Sequence, residues 1–113
     1  MNYQVCVIGA GTGGYVAAIR AAQLGAKVLL IEKKELGGVC LNRGCIPTKT
    51  LLKSAEKWQD ITHSEEFGMF VSEYAYDWDK IMERKNNVIY QLRSGIEKLI
   101  KSNKIELVEG TAH

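Results

Sequence analysis

The sequence has no apolar run approaching the roughly 20 residues needed to span a bilayer. Its opening residues, Met1-Asn2-Tyr3-Gln4, carry none of the basic charge that begins a secretory leader. It also lacks a dominant charge sign: 15 basic and 13 acidic side chains leave a formal charge of +2 and are mixed along the chain. Neither nucleic acid nor a membrane surface is expected as a partner, because no basic patch gathers to track phosphates. The expected location is cytoplasmic. There is no internal repeat, low-complexity tract or linker. Cysteine is scarce, and three such residues are too few for a disulfide-built scaffold. What remains is ordinary globular composition, 46% hydrophobic and 25% charged over 113 residues, enough for one modest core and so for one domain or part of one.

The run Val5-Cys6-Val7-Ile8 is wholly apolar and rich in β-branched residues, and it stops at Gly9. It predicts a strand buried on both faces, with Cys6 packed as a small hydrophobe. Residues 14–24 are alanine-rich and helix-favouring, and Gly25 follows as a C′ glycine. Lys27-Val28-Leu29-Leu30-Ile31 then predicts a second buried strand ending at Glu32. Strand, helix and strand in so short a span form a βαβ unit with a parallel, right-handed connection. Beyond the turn Leu36-Gly37-Gly38, residues 39–61 are expected to be helical, with Ile46, Leu51, Leu52, Ala55 and Trp58 as the apolar side. Residues 62–76 read as a connection. A long helix should begin at Asp77 or Asp79, either a good N-cap, and run to about Ser102 with Ile81, Val88, Leu92, Ile96, Leu99 and Ile100 apolar. The two long helices should pair antiparallel with their stripes in the core, and Ile105-Glu106-Leu107-Val108 should form a third strand before Gly110.

Gly9-Ala10-Gly11-Thr12-Gly13-Gly14 fits G-x-G-x-x-G between a predicted strand and a predicted helix. The pattern asks Gly9 for a tight turn, Gly11 for close approach of a pyrophosphate, and Gly14 for close packing of helix on strand. The anion would rest on free N–H groups at the helix start. Glu32 ends the second strand 18 residues beyond Gly14, where a carboxylate can accept hydrogen bonds from ribose hydroxyls and would repel a 2′-phosphate. This fingerprint suits FAD and NAD equally.

Cys40 and Cys45 are a close pair, which in a reducing compartment is more often catalytic or metal-binding than structural. In a regular helix, residues five apart have Cα atoms roughly 8.6 Å apart, whereas a disulfide tolerates up to about 7 Å. If the two are bridged, the helix must be distorted. Gly44 relaxes the backbone, and Pro47 can give no hydrogen bond to the Arg43 carbonyl. Lys49, four residues beyond Cys45, shares its face on a regular helix and would favour a thiolate there, as would the positive end of the helix. A metal site is disfavoured, because zinc wants four ligands in a recognisable spacing and only a distant His63 could join the pair.

The run from Gly37 to Lys49, Gly-Gly-Val-Cys-Leu-Asn-Arg-Gly-Cys-Ile-Pro-Thr-Lys, resembles the active-site signature of the pyridine nucleotide-disulfide oxidoreductases. Leu41 and Ile46 are most similar to the dihydrolipoamide-oxidising members; glutathione and mercuric reductases tend to carry Val at both places. The resemblance covers the whole chain. It implies an α/β fold, a Rossmann-like parallel sheet forming part of an FAD-binding domain, with a helical hairpin inserted between the second and third strands. It further implies FAD on the glycine loop, Glu32 and the adjacent Lys33 by the adenosine ribose, and Gly37, Gly38, Val39 and Cys40 near the pyrophosphate and ribityl chain. Lys49 would lie near the flavin ring and Ala112 near adenine. Cys40 and Cys45 become a redox disulfide, Cys45 facing the flavin and Cys40 exchanging with substrate. Val39 stands where Thr is usual, Arg43 where Val is frequent and Thr48 where Ser is common, and none of these removes a residue from the electron path.

The same resemblance implies an intact parent that passes electrons to NAD, forms a homodimer and serves a lipoyl-bearing protein of a 2-oxo acid dehydrogenase or glycine cleavage complex. Its His–acid base would lie near the end of a much longer chain. Residues 1–113 are therefore expected to be the N-terminal part of the FAD-binding domain, without NAD-binding or dimerisation domains and inactive alone. Three other readings stay open: another disulfide reductase of the family, a nucleotide-binding module with incidental cysteines, and a chain that self-assembles through an uncovered sheet edge.

Overall fold

The computed structural model describes residues 2–113. Its strands are β1 (Val5–Ile8), β2 (Val28–Glu32) and β3 (Glu106–Glu109), and its helices are α1 (Thr12–Gln23), α2 (Gly38–Arg43), α3 (Cys45–Thr62) and α4 (Trp78–Ser102). The three strands form one parallel sheet in the order β1-β2-β3, with Val5 opposite Val28 and Leu30 opposite Leu107. The fold is thus the α/β arrangement expected, with α3 and α4 as the hairpin between β2 and β3. Arg84 bonds to Thr50 and Arg93 to Asn42, so α4 advances as its partner recedes and the pair is antiparallel.

The sheet has one covered and one bare face. Val5, Val7, Val28, Leu30 and Leu107 share the face that packs on Ala18 of α1 and on Ile96 and Ile100 of α4. Leu30, fully buried, contributes about 1.5–3 kcal/mol by its removal from water. The alternate residues of each strand point the other way, as a period of two requires. There Cys6 is exposed and Ile8 is 72% exposed. The expectation that β1 is buried on both faces, with Cys6 packed, is therefore corrected: both helices lie on the same side of this sheet, and among the described residues none covers Cys6 or Ile8 on the other.

The crossover helices α1 and α4 end in the same way. After α1, the N–H of Gly25 reaches the carbonyl of Ala22, and that of Ala26 reaches Ala21. After α4, Lys104 reaches Lys101 and Ile105 reaches Ile100. Both pairs are Schellman closures, which need a left-handed residue at C′; Gly25 supplies it at φ 94° and Lys104 at φ 56°. The start of α4 is held by Asp77, whose carboxylate accepts from the Lys80 N–H at 3.2 Å.

The segment 39–61 is two helices rather than one. Gly44, at φ −127° and ψ −102°, leaves helical geometry and separates α2 from α3. The apolar stripes are also less buried than expected. Leu52, Leu92 and Leu99 are 62%, 42% and 49% exposed, whereas Ile89, Ile96 and Ile100 are the buried residues of α4. The cause is the hairpin's reach. The radius of gyration is 19.8 Å and the longest extent 66 Å, against about 13 Å for a compact domain of this size. Two helices side by side cover one strip of each other, and the sheet lies against only one end of the hairpin.

Candidate functional site

The carboxyl ends of all three parallel strands lie at one edge, where an open α/β sheet offers its ligand crevice. β1 runs into the glycine loop, β2 into Glu32, and β3 into Gly110, whose N–H continues the ladder by donating to the Glu32 carbonyl at 2.9 Å. Ala112, half-buried, follows at the same edge.

Within the loop, Gly9 takes φ 95°, a left-handed turn that a side chain resists. A Cβ on Gly14 would overlap the Gly9 carbonyl, so close seating of α1 on β1 requires glycine there. α1 has Gly11 as its N-cap and so no side-chain cap, and its first turn presents backbone N–H groups to whatever lies above. Glu32 braces the loop from the side: its carboxylate accepts from the Ala10 N–H at 2.7 Å and the Lys34 N–H at 2.8 Å. Burial works against its charge, but the N–H groups of Ala10, Lys34 and Lys33 and the Lys33 ammonium outweigh it and hold its pKa below the ordinary glutamate value. A carboxylate has about four acceptor sites, so Glu32 can brace the loop and still receive hydroxyls.

The turn before α2 sits on this loop. Gly37 donates to the Ala10 carbonyl at 2.8 Å, and a Cβ on Gly38 would stand 2.8 Å from the Gly11 Cα. Bare backbone therefore faces bare backbone, which leaves a shallow cradle of main-chain groups suited to a pyrophosphate. Cys40 follows in α2, half-buried, and Cys45 is the exposed first residue of α3. The two form a disulfide with Cα atoms 4.6 Å apart, far inside the regular-helix separation, because the chain breaks at Gly44. A Cβ on Gly44 would lie 3.2 Å from the Val39 carbonyl, so the break is also tightly packed. At the start of α3, the Cys45 sulfur occupies the helix position that most favours a thiolate.

Lys49 is exposed one turn further along α3 and Val39 is 68% exposed on α2. Lys33 is exposed beside Glu32. The extra charge of Arg43 faces Glu35 at 3.2 Å in an exposed pair. His63 caps the far end of α3, where its ring contacts the Gln59 carbonyl, remote in sequence and structure from the α2–α3 break. Among the described residues no three His, Cys, Asp or Glu side chains converge as a metal site, and no helix is long and apolar enough to cross a membrane.

The bonding roles of two residues of this neighbourhood cannot be read from the sequence. Asn42 donates to the carbonyls of Leu36 and Gly38, each at 2.9 Å, and its oxygen accepts the fork of Arg93 from α4, with Nε at 3.0 Å. Asn42 falls inside the Gly37–Lys49 signature, but nothing there indicates what its side chain bonds to. Arg93 looked like any polar residue of a long helix.

A glycine loop abutting a helix-start disulfide is an arrangement suited to a thiol-disulfide oxidoreductase, and the sequence matches the family described as pyridine nucleotide-disulphide oxidoreductase over residues 3–113. The chain belongs to that family. It is 50% identical over 110 residues to the dihydrolipoyl dehydrogenase of Acholeplasma laidlawii, covering 96% of this chain and 33% of that protein. It is likewise 50% identical to the dihydrolipoyl dehydrogenase of Geobacillus stearothermophilus, covering 97% of this chain and 23% of that protein, and 48% identical to that of Zymomonas mobilis. The chain thus spans 33% and 23% of the first two of these relatives.

Proposed function

We propose that this chain is the N-terminal part of the FAD-binding domain of an enzyme that oxidises protein-bound dihydrolipoamide. The observation that carries the reading is the Cys40–Cys45 disulfide at the start of α3, joined through the Gly37-Gly38 turn to a glycine loop. Gly9, Gly11 and Gly14, with Gly37, Gly38 and Val39, would hold the FAD pyrophosphate and ribityl chain, Glu32 and Lys33 the ribose, and Ala112 the adenine. Lys49 would lie by the flavin ring. NAD would bind in a domain outside residues 1–113, as would the dimer contacts; the lipoyl-bearing partner belongs to a 2-oxo acid dehydrogenase or glycine cleavage complex.

In the chemistry proposed, one thiolate of the substrate attacks the Cys40 sulfur, the Cys40–Cys45 bond breaks, and Cys45 leaves as a thiolate. The second substrate thiol displaces Cys40, so the substrate closes to its disulfide and both cysteines are reduced. FAD, held by the residues named above, would supply the acceptor for the electron pair of the reduced cysteines, with NAD⁺ as the final oxidant. Placement at the α3 start stabilises Cys45 as the leaving thiolate.

In the full-length protein, two-electron reduction by a dithiol should produce a long-wavelength absorption from a Cys45 thiolate beside flavin. Cys45→Ser should abolish it, and a band that survives this substitution would defeat the assignment. The isolated residues 1–113 should show no dihydrolipoamide:NAD⁺ turnover.

A further inference from the structure

We propose that Asn42 and Arg93 are positioning residues for the Cys40–Cys45 pair, a role that rests on the redox reading above. Asn42 lies between the two cysteines, and its amide is fully engaged. Arg93 only donates hydrogen bonds, so Oδ1 of Asn42 must face the guanidinium and Nδ2 must face the carbonyls of Leu36 and Gly38. Leu36 precedes the Gly37-Gly38 turn and Gly38 opens α2. One side chain therefore closes the turn that seats α2 on the glycine loop, and Arg93 sets which way that side chain points.

Arg93 transmits the position of a rigid body. It stands on α4 one turn before Ile96, which with Ile100 is buried against the sheet. α2 itself is a helix of six residues, too short to hold its place by its own hydrogen bonds. With Asn42 anchored, Cys40 is held beside the start of α3. With it released, Cys40 samples more positions, and the effective concentration of one thiol at the other falls. The disulfide then becomes easier to reduce.

The test uses the full-length protein equilibrated in dithiothreitol buffers of graded ratio, quenched in acid, alkylated and weighed by mass spectrometry. Dithiothreitol gives up two electrons and two protons and closes to its cyclic disulfide as the Cys40–Cys45 bond opens to two thiols. Asn42→Asp keeps the Arg93 contact but turns carboxylate oxygen onto two carbonyls; Arg93→Met removes the fork and leaves Asn42 intact. Each should lower the equilibrium constant for disulfide formation about tenfold, which is about 30 mV for a two-electron couple. Arg93→Lys should lower it by less. Arg84→Met is the control, since Arg84 makes a comparable α4 bond at 3.4 Å to Thr50 of α3 and should leave the constant unchanged.

Unchanged constants in both Asn42→Asp and Arg93→Met would overturn the proposal, as would an equal shift in Arg84→Met. If Asn42→Asp does not fold, Arg93→Met decides; unfolding of both, seen by circular dichroism, would also overturn it, because a positioning role confined to α2 leaves the sheet intact. A wild-type protein with no reversible two-electron couple would instead defeat the redox reading on which the proposal stands.

Discussion

The two ends of the α3–α4 hairpin are built differently. At the end next to the sheet, Ile96 and Ile100 are buried, Arg93 engages Asn42, and a disulfide joins the start of α3 to α2. At the far end, Trp58 meets Tyr74 and Tyr76 edge-on with ring centroids 5.5 and 5.4 Å away, while Phe70 and Trp78 are 82% and 58% exposed. Apolar side chains alone do not make a core; they need a third surface, and only the sheet supplies one. The disulfide and the glycine loop lie where that surface exists.

The largest difference should appear on replacing a cysteine. In the full-length protein, Cys40→Ser or Cys45→Ser should reduce dithiol oxidation by on the order of a thousandfold or more, measured as initial rate, whereas Trp58→Leu at the far end should leave that rate within about twofold. Next comes the core. Leu30→Ala should cost about 2–5 kcal/mol in urea unfolding, while Leu52→Ala on the exposed side of α3 should stay within about 0.5 kcal/mol; equal losses would show that the hairpin is covered in solution. Gly14→Ala should destabilise by about 1–3 kcal/mol because α1 must move off the Gly9 carbonyl.

Smaller effects follow from charge and caps. The folded pKa of Glu32 is lowered, so the stability it contributes is fully present above the ordinary glutamate pKa of about 4.3. That contribution is lost as pH falls through the lower folded value. Glu32→Gln should flatten this acid limb, read from urea midpoints across pH. Least of all, Lys104→Gly should stabilise by about 0.5–1 kcal/mol, since glycine accepts the left-handed C′ conformation that lysine resists. Gly25→Ala at the matching end of α1 should destabilise.

Legibility in the sequence followed the range of the causes. The glycine loop, the Gly25 stop, the Asp77 cap and the strand runs all work through neighbours in the chain, and each lies within a residue or two of its expected place. The break at Gly44 was foreshadowed by the Cα distance that a Cys40–Cys45 bridge demands. The buried face of α4 differs from the expected stripe at Leu92 and Leu99, because the stripe is chosen by where the sheet and α1 stand. Cys6 is exposed rather than packed; an apolar strand has the same sequence whether one side or two are covered.

By itself the sequence determined the βαβ unit, the cradle of bare glycines and the spacing of the cysteines, since these depend on φ, on Cβ and on periodicity. Only the tertiary structure decided which sheet face is covered, that α2 and α3 are separate helices meeting at a disulfide, and that Arg93 reaches Asn42 from 51 residues away. The physical reason is that such contacts depend on the relative placement of whole elements, which is set by burial against a shared surface and cannot be read from either position alone.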